Sequence, residues 1–147
     1  MNREQNKGIV LRYYEELFER RRLAVIDEIF ASGYVNHQRT DPYRTDEVRG
    51  PEGLKKLAAE FFSAFPDHHT AIDDIIAEGD KVVTRWTTRG THQGYLFGIA
   101  PTNKRVTISG ITIDRVVDEK IVETWTNWDL MGLLQQLGAD SECRLAA

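Results

Sequence analysis

The sequence predicts an α+β fold: three N-terminal helices packed on a curved antiparallel β-sheet that forms a cone with an internal pocket, followed by a short C-terminal helix. Three observations predict it. The hydrophobic period changes once, near Pro66, from helical spacing upstream to strand alternation downstream. Four strand-like segments downstream are joined by short or moderate connections, which makes a meander. The upstream helices are amphipathic and need a sheet face on which to bury their apolar stripes. At 147 residues the chain suits one domain over 1–147, with little room for a second.

The elements follow in order. Ile9, Val10, Tyr13, Tyr14, Leu17 and Phe18 form one stripe at three- and four-residue spacing, the first helix. Val25, Ile26, Ile29 and Phe30 mark a second, short helix that Gly33 can end. Tyr34-Val35-Asn36-His37 follows, then a polar loop to Arg49. Gly50-Pro51-Glu52 reads as a helix start, with proline where its missing N–H costs nothing and an acid in the first turn. The third helix carries Leu54, Leu57, Ala58, Phe61, Phe62 and Phe65, and Pro66 stops it. Ile72 to Ala77 is the first strand, with Glu78-Gly79-Asp80-Lys81 as a hairpin turn. Val82 to His92 is the second, and a loop with Gly94, Gly98 and Pro101 follows. Arg105 to Val117 and Ile121 to Trp128 pair across a turn at Asp118-Glu119-Lys120. Asp129 caps the last helix, built on Leu130, Leu133, Leu134 and Leu137, and Gly138 ends it.

Alternation assigns the sheet faces. Arg85, Arg115 and Glu123 share odd positions, and opposite charges on adjacent strands favour one solvated face. The odd face is therefore outward, which leaves Ile111, Ile113 and Trp125 exposed and predicts a homodimer or higher homo-oligomer through that face. The even face then points at the helices with Trp86, His92, Thr112, Thr124, Thr126 and Trp128. Indoles, hydroxyls and an imidazole on one buried face need partners, which a ligand or water in a pocket supplies.

Composition narrows the function. Acidic residues (23) outnumber basic ones (19) and the two are mixed along the chain, so no basic face for nucleic acid is expected. No apolar run approaches the roughly 20 residues that span a bilayer, so no membrane is expected as a partner. The N-terminus runs straight into a helical pattern, and the single cysteine, Cys143, forms no internal disulfide; both fit a cytoplasmic protein. No metal and no cofactor are expected. His68-His69 are adjacent and point apart on a strand, and there is no phosphate loop or dinucleotide fingerprint.

The chain resembles the SnoaL-like polyketide cyclases, within the nuclear-transport-factor-2-like superfamily of cone-shaped α+β domains. The resemblance rests on Phe65-Pro66-Asp67, on Glu78-Gly79-Asp80-Lys81-Val82-Val83, and on Gly90-Thr91-His92-Gln93-Gly94. It continues through Pro101 to Lys104, Arg115 to Asp118, Lys120 to Glu123 and Trp125 to Asp129, ending in Gln136-Leu137-Gly138. In the first half Tyr34-Val35-Asn36-His37 and Gly50-Pro51 match. The resemblance implies cofactor-free intramolecular aldol closure of a polyketide ester, with an aspartate as general acid/base. Laid on this chain, that aspartate falls at Thr126, and threonine exchanges no proton near neutral pH as a carboxylate does.

Three residues are candidates for proton transfer. His92 ends the second strand on the inner face and is a base or carbonyl polariser, or else a histidine that pins the glycine-rich loop. Asp129 is the carboxylate nearest Thr126, and equally a helix cap. His37 sits at the pocket mouth or pins a loop. Asp114 also alternates inward, near a hairpin end where water has access. Trp86, Trp128, Phe18, Phe61 and Phe65 are walls or core, Tyr14 offers a phenol, and Thr112 and Thr126 offer hydroxyls to a ligand. The functional expectation is a cofactor-independent enzyme with cyclase- or isomerase-type acid–base chemistry on a small hydrophobic carbonyl or polyketide-like compound. The alternatives are a non-catalytic binding protein for such a molecule and an oligomerisation module.

Overall fold

The computed structural model describes residues 2–37 and 47–139. Helix α1, Arg3–Arg12, begins ahead of its apolar stripe. Asn2 and Gln5 exchange side chain-to-backbone hydrogen bonds of 2.8 and 3.2 Å, a reciprocal cap that satisfies two N–H groups at the helix start. Past Arg12 the helix widens to π geometry over Tyr13–Glu19, and the Arg20 N–H reaches the Glu15 carbonyl five residues back at 3.1 Å. In an α-helix residues five apart lie roughly 140° apart around the axis. Here the Tyr13 and Phe18 rings meet edge to face at 5.1 Å. The arginine run that follows stays at the surface, where Arg20 pairs with Glu15 and Arg22 with Glu16 and Glu28.

Helix α2 is only Val25–Ile29, and the chain enters strand β1, Phe30–Asn36, at once. This corrects the expectation that Phe30 belongs to the helix and that Gly33 ends it; Gly33 lies inside the strand. β1 pairs antiparallel with the two-residue β2, Val48–Arg49, and parallel with β6, Lys120–Trp128, through Val35–Glu123 and Asn36–Thr124. The sheet is therefore mixed and six-stranded, in the order β2-β1-β6-β5-β4-β3, where β3 is His69–Glu78, β4 Lys81–Thr91 and β5 Arg105–Val117. The expected four-stranded antiparallel meander is present as β3 to β6, and β1 and β2 extend it beyond β6. Ala31, Ser32 and Gly33 hid β1, because small residues carry little strand signal. Most of the polar loop expected between His37 and Arg49, and the tail with Cys143, lie outside the described residues.

Helix α3 spans Gly50–Ala64 with Pro51 in its first turn. Strand β3, His69–Glu78, is longer than expected and slips register between Ile72 and Asp74. The bulge switches its buried set from Thr70 to Ala77. Strands β4, Lys81–Thr91, and β5, Arg105–Val117, follow the expected alternation. Helix α4, Leu130–Leu137, is capped by Asp129, whose Oδ1 accepts the Gly132 N–H at 2.8 Å, and it ends at Gly138 with φ 73°. Thr84, Thr88, Thr112, Asp114 and Thr124 are all buried, so the even face of β4–β6 points at the helices. Two apolar clusters fill that side, one around Leu17, Ile26 and Ile121, the other around Phe65, Val106 and Leu133. Trp86 packs against both. Among the described residues no helix is long and apolar enough to cross a membrane.

Candidate functional site

Register across three strands builds a floor in rows. Val82, Asp114 and Thr124 form one row, Thr84, Thr112 and Thr126 the next, and Trp86, Gly110 and Trp128 the third. Gly110 is what lets two indoles share a row: a Cβ there would stand 2.5 Å from Trp86 Cζ2 and 2.8 Å from Trp128 Cβ. The Trp86 Nε1–H donates to Thr112 Oγ1 at 2.9 Å, and the Thr112 and Thr126 hydroxyls share a bond of 3.0 Å. Thr70 and Thr88 share another, at 2.7 Å. Polar atoms on an inward face are thus largely satisfied within the sheet itself.

Above this floor lies a cavity of about 270 Å³, lined mainly by aromatic and aliphatic side chains. That is close to the lower end of the roughly 300–1,000 Å³ typical of small-molecule sites. The π segment supplies Tyr13, Tyr14 and Phe18, α3 supplies Phe61 and its C-terminal cap Phe65, and the loop after β4 lays Tyr95, Leu96 and Phe97 over it. Phe97 stacks on Trp128 at 6.3 Å. His68 ties two walls together: its ring lies flat on Phe62 at 4.9 Å, with its nitrogens 2.7 Å from the Phe18 carbonyl and 3.1 Å from that of Phe65.

The chemistry concentrates at Asp114. Its side chain lines the cavity and is 2% exposed; Oδ1 accepts the Thr124 hydroxyl hydrogen at 2.6 Å, and Oδ2 has no partner among the described residues. Burial disfavours the carboxylate and pushes its pKa up to about 7, while the Thr124 bond pulls weakly the other way. Tyr14 and Tyr34 line the same cavity, and burial followed by the Asp114 charge drives both phenols above their ordinary range. Asp114 and the exposed Glu60 are the only formally charged lining residues among those described, and no lysine, arginine or histidine joins them. Among the described residues there is no group of three or more potential metal ligands.

The structure brings together Trp86, Trp128, Thr126, Thr112, Phe18, Phe61, Phe65 and Tyr14, all of which line the cavity. It does not bring the three proton-transfer candidates there. His92 is fully buried beneath the loop that follows it, 5.9 Å from the Phe65 ring. Its Nδ1 accepts the Thr102 N–H at 3.2 Å and lies 3.0 Å from the Thr102 hydroxyl. Nε2 has no well-formed partner, though the Gly94 backbone offsets part of the desolvation that lowers its pKa. Asp129 is an exposed helix cap. His37 is on the opposite side of the sheet, stacked on Trp125 at 5.3 Å, with its ring held by Glu47 and, at 2.8 Å, by Glu123. Those bonds, Glu123 first, raise its pKa. Alternation alone reads Asp114 as inward, while its proximity to the hairpin predicts solvent; instead the side chain is buried, in the wall of a cavity that Tyr13, Tyr14 and Tyr34 also line. Tyr34 belongs to the strand that sequence pattern did not reveal.

Residues 8–137 match the family model of the SnoaL-like polyketide cyclases. Among solved structures, IdmH from Streptomyces antibioticus, a proposed polyketide cyclase, is 31% identical, with a TM-score of 0.78 over 91% of this chain and 99% of that one. AclR from Streptomyces galilaeus, a proposed hydroxylase, is 30% identical, with a TM-score of 0.80 over 94% and 87%. A SnoaL-like protein from Jannaschia sp. CCS1 shares the fold at 23% identity, with a TM-score of 0.83 over 93% and 94%. No curated protein matches the chain. The family model spans both the helices and every strand of the cavity floor, and the chain belongs to the SnoaL-like polyketide cyclase family.

Proposed function

We propose that the chain is a cofactor-independent enzyme of general acid–base type, acting on a small hydrophobic, polyketide-like carbonyl compound with Asp114 as the proton-transferring group. One observation carries this reading: a buried carboxyl with a free oxygen, poised to titrate near neutral pH, in the wall of an aromatic cavity. A base with a pKa near the working pH is present in both protonation states and can take and return a proton in one cycle. The absence of a cation from the described lining favours a neutral substrate over a carboxylate or phosphate, which would meet Asp114 and Glu60 without compensation. IdmH, named as a polyketide cyclase, supports the substrate class.

The test is exchange of the acidic α-proton of an aryl β-ketoester into D₂O, followed by NMR. The wild type is expected to accelerate exchange, and Asp114→Asn to lose about 10²- to 10⁴-fold. Equal rates in the two proteins would remove Asp114 from the chemistry. One observation favours a binding-only protein: Thr126 stands where the resemblance places the family's acid/base aspartate. Binding of the ester by the wild type without exchange would establish that second reading. We also propose that the chain acts as a homodimer through the outer sheet face, supported by the apolar row that face carries. A cytoplasmic location is part of the same reading, since a sequence with one cysteine makes no internal disulfide.

A further inference from the structure

Asp114 lacks one hydrogen bond, and the residues around it define what can supply it. From the first helix come Tyr13 and Tyr14, from β1 Tyr34, and from β6 Thr124; β4 contributes the apolar Val82. Tyr14 faces the hydroxyls of Thr112 and Thr84, and Tyr34 faces Thr124 and Asn36. The two phenols interact electrostatically with Asp114, and with each other, while no described cation acts on Asp114. A hydrocarbon placed here would leave Oδ2 unsatisfied, at a cost of about 1–3 kcal/mol. A permanent anion would face an ionisable carboxyl with nothing to offset it. An oxygen that carries a shareable proton, or that becomes negative only during reaction, satisfies all three groups.

We propose that Tyr14 and Tyr34 are catalytic residues that donate their phenol hydrogens to the enol or enolate oxygen of the ligand, beside the Asp114 carboxyl. The inference rests on the acid–base reading above and adds the two groups that would hold the enolate oxygen. In the step it describes, an Asp114 carboxylate oxygen takes the α-proton and the C–H electron pair becomes the C=C bond of the enolate. The former carbonyl π pair settles on oxygen, where the two phenols bond it, and Asp114, now a carboxylic acid, returns the proton to carbon or oxygen. A donor aimed at a developing oxyanion is worth about 10²–10³ in rate.

Binding of 2-naphthol, a stable enol mimic, is measured against naphthalene, which has the same shape without the hydroxyl. The wild type is expected to prefer naphthol at least tenfold, and Tyr14→Phe with Tyr34→Phe to erase that preference while naphthalene binds as before. Retained naphthalene binding shows that the cavity survives. A naphthol preference that persists in the double variant overturns the proposal, as does failure of the wild type to prefer naphthol. With the wild type alone, affinity is expected to rise through a series of increasingly acidic substituted 2-naphthols; a flat series overturns the proposal even if the Phe variants do not fold. Ketoester exchange that depends on Asp114, without a naphthol preference, leaves the acid–base reading standing and removes only the phenols. A preference that needs the phenols, without exchange, does the reverse.

Discussion

Asp114 is held in a place that makes its ionisation costly to the fold. Its folded pKa, pushed up to about 7, stands above the ordinary carboxylate value of 3.8, so the folded protein holds this proton more tightly than the unfolded chain. The stability that Asp114 contributes is fully present below about pH 4 and is lost as pH rises through 7. That difference in proton affinity corresponds to about 4 kcal/mol, an upper figure for a buried carboxyl. Asp114→Asn keeps the shape and removes the charge, so it is expected to melt at a higher temperature than the wild type at pH 8, with the gap closing at pH 5. Thermal unfolding at the two pH values measures this. A wild type whose stability does not change between them would mean that Asp114 is solvated and the cavity open to water. Stabilisation by loss of a reactive group is the usual trade between stability and activity. The inward direction of Asp114 was legible from alternation on β5. Its dryness is legible only in part: Tyr13 and Tyr14 stand on the stripe that periodicity reveals, whereas Tyr34 comes from β1, which does not announce itself in periodicity.

At the scale of elements, His92 holds a loop. Its N–H bonds the Lys104 carbonyl and its carbonyl takes the Asn103 N–H, both at 2.9 Å, while Nδ1 accepts the Thr102 N–H. Next to it the Gln93 N–H reaches the Ala64 carbonyl at 2.9 Å, and Gly94 passes so close to α3 that a Cβ would stand 2.3 Å from the Ser63 carbonyl oxygen. A segment fastened at both ends presents Tyr95, Leu96 and Phe97 to the cavity. Accepting the Thr102 N–H requires an unprotonated Nδ1, and burial lowers the His92 pKa in the same sense. This stabilisation is present above the unfolded value of about 6.5 and fades as pH falls towards the folded one. His92→Phe fills the space without an acceptor and is expected to cost about 1–3 kcal/mol. Hydrogen exchange at the Thr102 amide is expected to quicken in the variant, and in the wild type to quicken as pH drops beyond the intrinsic pH dependence of exchange. Protection unchanged in both would show that the loop is held by other contacts. Elements of this length were readable where they were regular: α3, β4, β5 and β6 fall within a few residues of their expected bounds. β1 escapes the sequence pattern because Ala31, Ser32 and Gly33 are small, and α2 reads too long because Phe30 continues its stripe.

For the whole molecule, the face away from the cavity is as patterned as the floor. Ile76, Val83, Ile113 and Trp125 line up across four strands, and Asp74, Arg85, Ile111 and Asn127 form the row beside them. Ile76 is 58% exposed and Ile111 48%. On the other side of the apolar row, Glu78, Lys81, Arg115 and Glu123 form a charged row in which two central cations are flanked by carboxylates, with Arg115 bonding Glu123 at 3.1 Å. His37 closes the end of this face by stacking on Trp125 while bonding Glu123. An apolar stripe flanked by paired charges is self-complementary under a two-fold rotation, which is how identical chains most often associate. A face left open would instead be a contiguous exposed patch of the kind monomers avoid. Sedimentation is therefore expected to give a dimer for the wild type and a monomer for Ile76→Lys combined with Ile111→Lys, since each copy would place two unpaired cations at the centre of the contact. Both substitutions are at exposed positions, so the variant is expected to fold and to keep its naphthol affinity. A wild type that sediments as a monomer would mean that the row is tolerated in water. A dimeric lysine variant would mean that the subunits meet elsewhere. Because the cavity opens on the helical side and the row lies on the opposite face, loss of the dimer is expected to leave the Asp114 chemistry intact.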